Sequence, residues 1–404
     1  MDIRNKIGLY GSYFLAMASV GFILPYLPPY LAERGFDDRQ IGLLWTVAAL
    51  SSLAQFPIGI WSDRAGWRKP LLVAALAVLA VAALLLPAAN STFFLALVAV
   101  LFAENGLARA SVESLTGAEA VALAPPGQVG AALGALRFWK PVGIVAVALV
   151  GGWFADRQGV GTLLLPLAGI QGAAVLLALL IHRPTPAADQ PSAATAAAPA
   201  GDWRQALTGD RSLRLFILAM VLFHVANSPG GVYLSLFLRR TLGAPQSALA
   251  QSFAVGMGCW MLVVWPLGRL ADRFGRRPLL ILCWALMTLR LLLLALATNS
   301  WQVLAIQALD GAASAGFAVL AASWVTDRLG ARGRGGEAQV IVGCSLVVGS
   351  AIGPAFSGFL VELVGYRALF GLLAAIGALA TALVVLYIPE TVSDTRAGGR
   401  AGGP

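Results

Sequence analysis

Gly59-Ile-Trp-Ser-Asp63-Arg64-Ala-Gly66-Trp67-Arg68-Lys69-Pro70 returns 209 residues later as Gly268-Arg-Leu-Ala-Asp272-Arg273-Phe-Gly275-Arg276-Arg277-Pro278. Each copy follows the second long apolar stretch of its half and precedes the third. A weaker echo pairs Gly152-Trp-Phe-Ala-Asp156-Arg-Gln-Gly159 with Gly358-Phe-Leu-Val-Glu362-Leu-Val-Gly365, 206 residues on. It sits at the same ordinal place in each half. Two copies at a half-chain offset indicate an internal duplication.

Working outward, apolar stretches cover 7–31, 41–61, 71–89, 92–112, 131–153 and 162–181, then 213–237, 248–268, 279–298, 301–324, 338–361 and 368–388. Most are about the 20 residues a membrane-crossing helix needs. The chain thus reads as a six-helix bundle over 1–181, a Pro/Ala/Ser-rich cytoplasmic linker over 182–212, a second bundle over 213–390 and a disordered cytoplasmic tail over 391–404. The fold class expected is an all-α membrane protein, twelve helices in two pseudo-symmetric halves.

Composition agrees. Hydrophobic residues make up 59% of the 404 and charged ones only 12%, where a soluble domain carries roughly 25% charged. This excludes a soluble enzyme, a disordered chain and a nucleic-acid binder. The net charge of +9 is a matter of placement. Of the Lys and Arg outside the apolar stretches, only Arg34, Arg39, Arg157, Arg239, Arg240 and Arg367 fall on one side. The positive-inside rule makes the other side cytoplasmic, with both termini on it. Met1 to Lys6 leads into an uncleaved first span rather than a signal peptide. Cys259, Cys283 and Cys344 all lie in apolar stretches without metal or disulfide spacing, so no metal and no cofactor are expected.

The repeated loop resembles the G-x-x-x-D-R-x-G-R-R signature of the major facilitator superfamily. The second copy matches throughout; the first has Trp67 where the first basic residue of the pattern stands. The resemblance implies the fold of that superfamily and a latch at the cytoplasmic surface. The latch would comprise Gly59, Asp63, Arg64, Gly268, Asp272, Arg273 and Arg276, with Glu113 as partner of the arginines. Independently, the glycines allow a tight turn or close approach, and the aspartates can face a helix N-terminus or an arginine. Arg137-Phe-Trp-Lys-Pro-Val-Gly and Leu24-Pro-Tyr-Leu-Pro-Pro-Tyr-Leu, with Gln40-Ile-Gly, resemble elements of the phenylpropionate and nucleoside permease branch. Lys140-Pro141 replaces the usual Gly-Ser there. Gly349-Ser-Ala-Ile-Gly353-Pro354 resembles drug and sugar effluxers, yet span five lacks their Gly-Pro motif.

An ionisable side chain inside a bilayer is costly unless paired, so each marks a candidate site. Counted along a continuous helix, Glu104 and Lys140 lie roughly 12–14 Å deep. In one reading Glu104 exchanges a proton for a cation partner, while Lys140 or Arg137 holds an anionic solute. In the other, Glu104 and Lys140 form a permanent structural pair. Asp310 in span ten and Arg290 in span nine offer a second pair, with a proton-carrying Asp310 as the alternative. His224 titrates near neutral pH when unperturbed; packing is its other reading. His224 and Asn227 precede Ser228-Pro229-Gly230-Gly231, which breaks a helix and frees carbonyls. Tyr13 is a further cavity candidate.

The expectation is a secondary transporter of the inner membrane, not an enzyme; no phosphate cradle points to ATP, and Glu104, Asp310 and His224, titratable groups inside the membrane, point to proton coupling. Its partners are a small organic solute, carboxylate-bearing or aromatic, together with protons and lipid; a monomer is the default. An efflux antiporter is the alternative within the class, and a non-transporting receptor or scaffold the alternative outside it.

Overall fold

A computed structural model describes residues 1–125, 128–182, 209–329 and 335–391, and the side chains of all but 56, 60, 63, 129–131 and 335–339 among them. The linker and tail expected over 182–212 and 391–404 lie largely outside these residues. The described residues are helical and contain no strand.

Ten helices long and apolar enough to cross a membrane come first: α1 Ile3–Glu33, α2 Asp38–Gly59, α3 Arg68–Ala88, α4 Thr92–Leu123, α5 Ala132–Gln158, α6 Val160–Leu179, α7 Arg211–Thr241, α8 Gln246–Phe274, α9 Arg276–Leu296 and α10 Ser300–Arg328. The segment Val340–Tyr387 follows. At 1.5 Å per residue it would span about 72 Å, more than twice a hydrocarbon core. Gly365 breaks it, with φ 76°, into α11 before that glycine and α12 after it. Among the described residues, twelve spans result.

The duplication is written into the backbone. Six described glycines have positive φ, and they form three pairs: Gly35 with Gly243, Gly66 with Gly275, Gly159 with Gly365. The offsets are 208, 209 and 206 residues. Each pair turns the chain after the same ordinal helix of its half, in a conformation that a Cβ disfavours. The turn-forming glycines of the repeated loop are thus Gly66 and Gly275. Gly59 and Gly268, expected in a turn or close approach, lie inside helices with no heavy atom nearer than 3.9 Å to an added Cβ.

Helix starts are fixed by their own sequence. Asp37 and Gln40 form a reciprocal capping box at α2, with Gln40 N donating to Asp37 Oδ1 at 2.6 Å and Asp37 N to Gln40 Oε1 at 3.1 Å. Ser91 accepts from Phe94 N at α4, and Asn299 accepts from Gln302 N at α10. Asp210 accepts from Ser212 N and Leu213 N at α7 and also binds Arg328 Nε at 2.5 Å. Burial pushes the Asp210 carboxyl up, but the Arg328 bond and the two N–H donors outweigh it and hold it below the usual range.

The helices divide into two units. The first holds α1–α6 together with Gly230–Ala254 and Pro354–Leu363; the second holds the rest of α7, α8 and α11 with α9, α10 and α12. The boundary crosses α7 at Pro229/Gly230 and α11 at Gly353/Pro354. In the first unit α1 and α5 approach closely: a Cβ on Gly143 would meet Phe14 O at 3.0 Å, and one on Gly21 would overlap Ile144 O. In the second, Gly349 and Gly353 of α11 press against His224, Val225 and Ser228 of α7, while Gly311 of α10 abuts Gly256 and Trp260 of α8. Small residues let backbones pack where lipid supplies no hydrophobic drive.

Candidate functional site

In the first unit the centre forms around a discontinuity in α4. One helix ends at Phe102 and the next starts at Leu107. Gly106 fits only without a side chain, since a Cβ would stand 2.5 Å from Val100 O. Ser51 Oγ accepts the freed N–H of Leu107 at 3.1 Å. Glu104 lies in this break, half-buried, and makes no hydrogen bond or ion pair among the described residues.

Glu113, on the helix that follows, accepts from Lys140 Nζ at 3.0 and 3.2 Å and lies 3.5 Å from Arg137. Lys140 is therefore placed with Glu113, where a count of depth aligns it with Glu104. That count ends span four at residue 112, whereas its last helix runs on to Leu123, which brings Glu113 rather than Glu104 level with Lys140. Among the described residues Glu113 makes its ion pairs with Lys140 and Arg137 and not with the motif arginines. It stands ten residues before Leu123, about 15 Å along the helix from that end. Glu119, nearer the end, is fully buried; its place on a small-residue face gives no signal in the sequence.

Tyr13 is buried beside Glu113. Arg109, only 2% exposed, donates to Ala16 O at 2.6 Å and more weakly to Phe102 O at 3.4 Å. Arg137 is the accessible cation here, with a side chain 67% exposed. It is followed in sequence by exposed Phe138 and Trp139, the latter edge-on to Phe14 at 5.8 Å.

The second unit centres on Arg290 of α9, 2% exposed. Its Nε donates to Gln307 Oε1 at 3.1 Å, and its Nη1 donates to Asn227 Oδ1 at 2.8 Å and pairs with Asp310 Oδ1 at 3.2 Å. Three acceptors from α7 and α10 thus converge on one guanidinium. Asn227 is occupied by this network. Asp310 is 27% exposed at its side chain. His224 packs against Phe317 at 4.3 Å and Phe223 at 5.4 Å, and its Nε2 is buried without a partner.

The repeated loops do more local work than a latch requires. Lys69 Nζ donates to the carbonyls of Leu179 and Ile181, and Arg277 Nη2 to that of Val385. In each half a basic residue of the loop therefore caps the C-terminal end of the last helix. Arg276 pairs with Asp327 at 2.5 Å, and Thr391 Oγ1 donates to the same carboxylate at 2.8 Å. Glu390 accepts from the backbone N–H of Arg276 and Arg277, both at 3.0 Å, capping α9. Neither Asp327 nor Glu390 belongs to the repeated motif, and nothing in the sequence marks them. Arg64 and Asp272 are exposed, Arg273 lies over Phe274, and the Asp63 side chain falls outside the described residues.

Known proteins add the following. The model of the MFS_1-like family matches residues 7–372. An MFS-type transporter of Mycobacterium tuberculosis is 28% identical, over 93% of this chain and 91% of the relative. The multidrug resistance protein MdtG of Proteus mirabilis is 26% identical over 90% of each. Among solved structures, the nucleoside transporter NupG aligns with TM-score 0.81 at 16% identity, covering 95% of this chain and 98% of its own. A bacterial homolog of the lysosomal transporter Spinster aligns with TM-score 0.75 at 18% identity, covering 96% and 97%. Both share the fold.

Proposed function

The chain belongs to the MFS_1-like family of multi-pass membrane transporters and is not an enzyme; from that premise we propose that it is a proton-coupled secondary transporter of a small organic solute. It would work by alternating access across the inner membrane, as a monomer with both termini cytoplasmic. The observation that carries proton coupling is Glu104, an intramembrane carboxylate left without a partner while Lys140 and Arg137 engage Glu113. A carboxylate that gains and loses a cation neighbour in low dielectric binds and releases a proton. Asp310, already held by Arg290, is the weaker proton candidate, and His224 packs against the rings of Phe317 and Phe223 and against Gly349.

For the solute, the accessible Arg137 with Phe138 and Trp139 alongside favours an aromatic carboxylate, which a guanidinium binds through paired hydrogen bonds. The multidrug resistance name of the Proteus relative supports a second reading, efflux of amphipathic drugs in exchange for protons.

Proteoliposomes carrying a pH-sensitive dye distinguish these. Aromatic acids should evoke proton movement with the wild type and none with Glu104→Gln. A response to cationic drugs alone favours the efflux reading. Flux that survives Glu104→Gln moves the proton to Asp310 or His224.

A further inference from the structure

The first unit contains a carboxylate that the transport reading leaves unused. Asp156 stands at the end of α5, on the side opposite the repeated loops. Its Oδ1 accepts from Gln246 N at 2.7 Å and its Oδ2 from Ser247 N at 3.2 Å. These are the first two N–H groups of α8, which have no partner within their own helix.

The contrast with the other helix starts is informative. α2, α4, α7 and α10 carry their own caps in Asp37, Ser91, Asp210 and Asn299, whereas α9, like α8, is capped from far along the chain, by Glu390. α8 is preceded by Pro245, whose side chain offers no acceptor. Its cap comes instead from a helix 90 residues away.

One turn before Asp156, on the same face of α5, a Cβ on Gly152 would meet Ser247 Cα and Ala250 Cβ at 3.0 Å and Tyr26 Oη at 2.8 Å. α5 and α8 therefore meet backbone to backbone beneath the cap. Nearby, Arg240 pairs with Asp38 at 3.0 Å and Arg39 with Glu362 at 3.2 Å. The Tyr233 hydroxyl is shared between the carbonyls of Asp38 and Pro354. Both arginines are more than 40% exposed at the side chain, and exposed pairs contribute little. A carboxylate on two otherwise orphaned helix N–H groups contributes more, through both hydrogen bonds and the helix dipole.

We propose that Asp156 is the latch that keeps this end of the first unit closed. Moving the start of α8 away from α5 must uncap α8, and the Asp156 cap sets how often that happens. The proposal does not depend on the identity of the solute or of the proton carrier.

The test uses the full-length protein in lipid nanodiscs with Cys259→Ala and Cys344→Ser. Spin labels sit on Thr162→Cys and Thr241→Cys, both exposed, and pulsed electron resonance reads their distance. Asp156→Ala should raise the ratio of long to short distances about fivefold, the factor that loss of one cap typically carries. Asp156→Asn keeps the volume and one acceptor oxygen, so it should give a smaller rise in the same direction. Arg157→Ala, which removes a guanidinium stacked on Trp153 and bonded to the Trp153 carbonyl within α5, should leave the distribution unchanged. Unchanged distances in both Asp156 variants, or an equal rise in Arg157→Ala, would overturn the proposal. If the Ala variant does not fold, the Asn variant decides.

Discussion

Arg109 and Arg290 are each 2% exposed, yet the two units house them differently. Arg290 meets three side-chain acceptors, one of them the Asp310 carboxylate. Among the described residues Arg109 hydrogen-bonds only to backbone carbonyls, lies over the Phe102 ring, and has its Nε unpartnered. The charge of Arg290 is therefore neutralised on the spot, whereas that of Arg109 is left for the carboxylates of α4. Two further cations, Lys140 and Arg137, share the single carboxylate of Glu113. One centre is a closed network. The other sets two cations on one carboxylate and leaves a second carboxylate, Glu104, outside that pairing.

Substitutions can break this comparison. The largest expected effect is on Glu104→Gln: solute-evoked proton flux should fall at least about tenfold, the scale expected for loss of an essential proton carrier, while Asp310→Asn should retain flux if the protein folds. The reverse pattern in the dye assay would exchange the roles of the two units. Next is Arg290→Ala, which strands Asp310 and two amide acceptors. It should cost about 3 kcal/mol, read as a lower melting temperature in detergent. Arg290→Met with Asp310→Asn should recover part of that loss. Lys140→Met should cost less, about 1 kcal/mol or below, because Arg137 already stands beside Glu113. A loss as large as that of Arg290→Ala would show that the first centre is as rigid as the second.

The smallest effect is at Asp210, outside the spans. Its carboxyl is held below the usual range, so its cap stabilises above the ordinary aspartate pKa and is lost as pH falls through the lower folded value. Asp210→Asn should lower the melting temperature slightly at neutral pH and flatten its decline in acid.

The spans and the duplication are legible in the sequence because bilayer thickness dictates the length of apolar stretches and because two loops repeat. The Arg290–Asp310 pair is legible too, since an arginine in a ninth span demands a partner. The break in α4 is not. Ala103-Glu104-Asn105-Gly106 contains no proline and sits among apolar residues, so a count of depth runs straight through it. A second misreading places Lys140 with Glu104 and Glu113 near the surface: apolarity ends span four at 112, although its helix continues to Leu123. The cap on α8 is hidden for a different reason: its donors and acceptor lie 90 residues apart, and capping motifs are read within a few residues.

The α4 break also has a genealogy. α3 and α9 are both 21 residues long, but α4 runs 32 residues and its counterpart α10 only 29. The offset between the halves is 208 at their caps, Ser91 and Asn299, and 206 by the turns at Gly159 and Gly365. The surplus therefore entered the ancestral repeat after it had been copied, or was trimmed from the other copy. The longer copy is the one that breaks at Glu104. An indel of less than one helical turn would then be enough to give two inherited halves unequal roles.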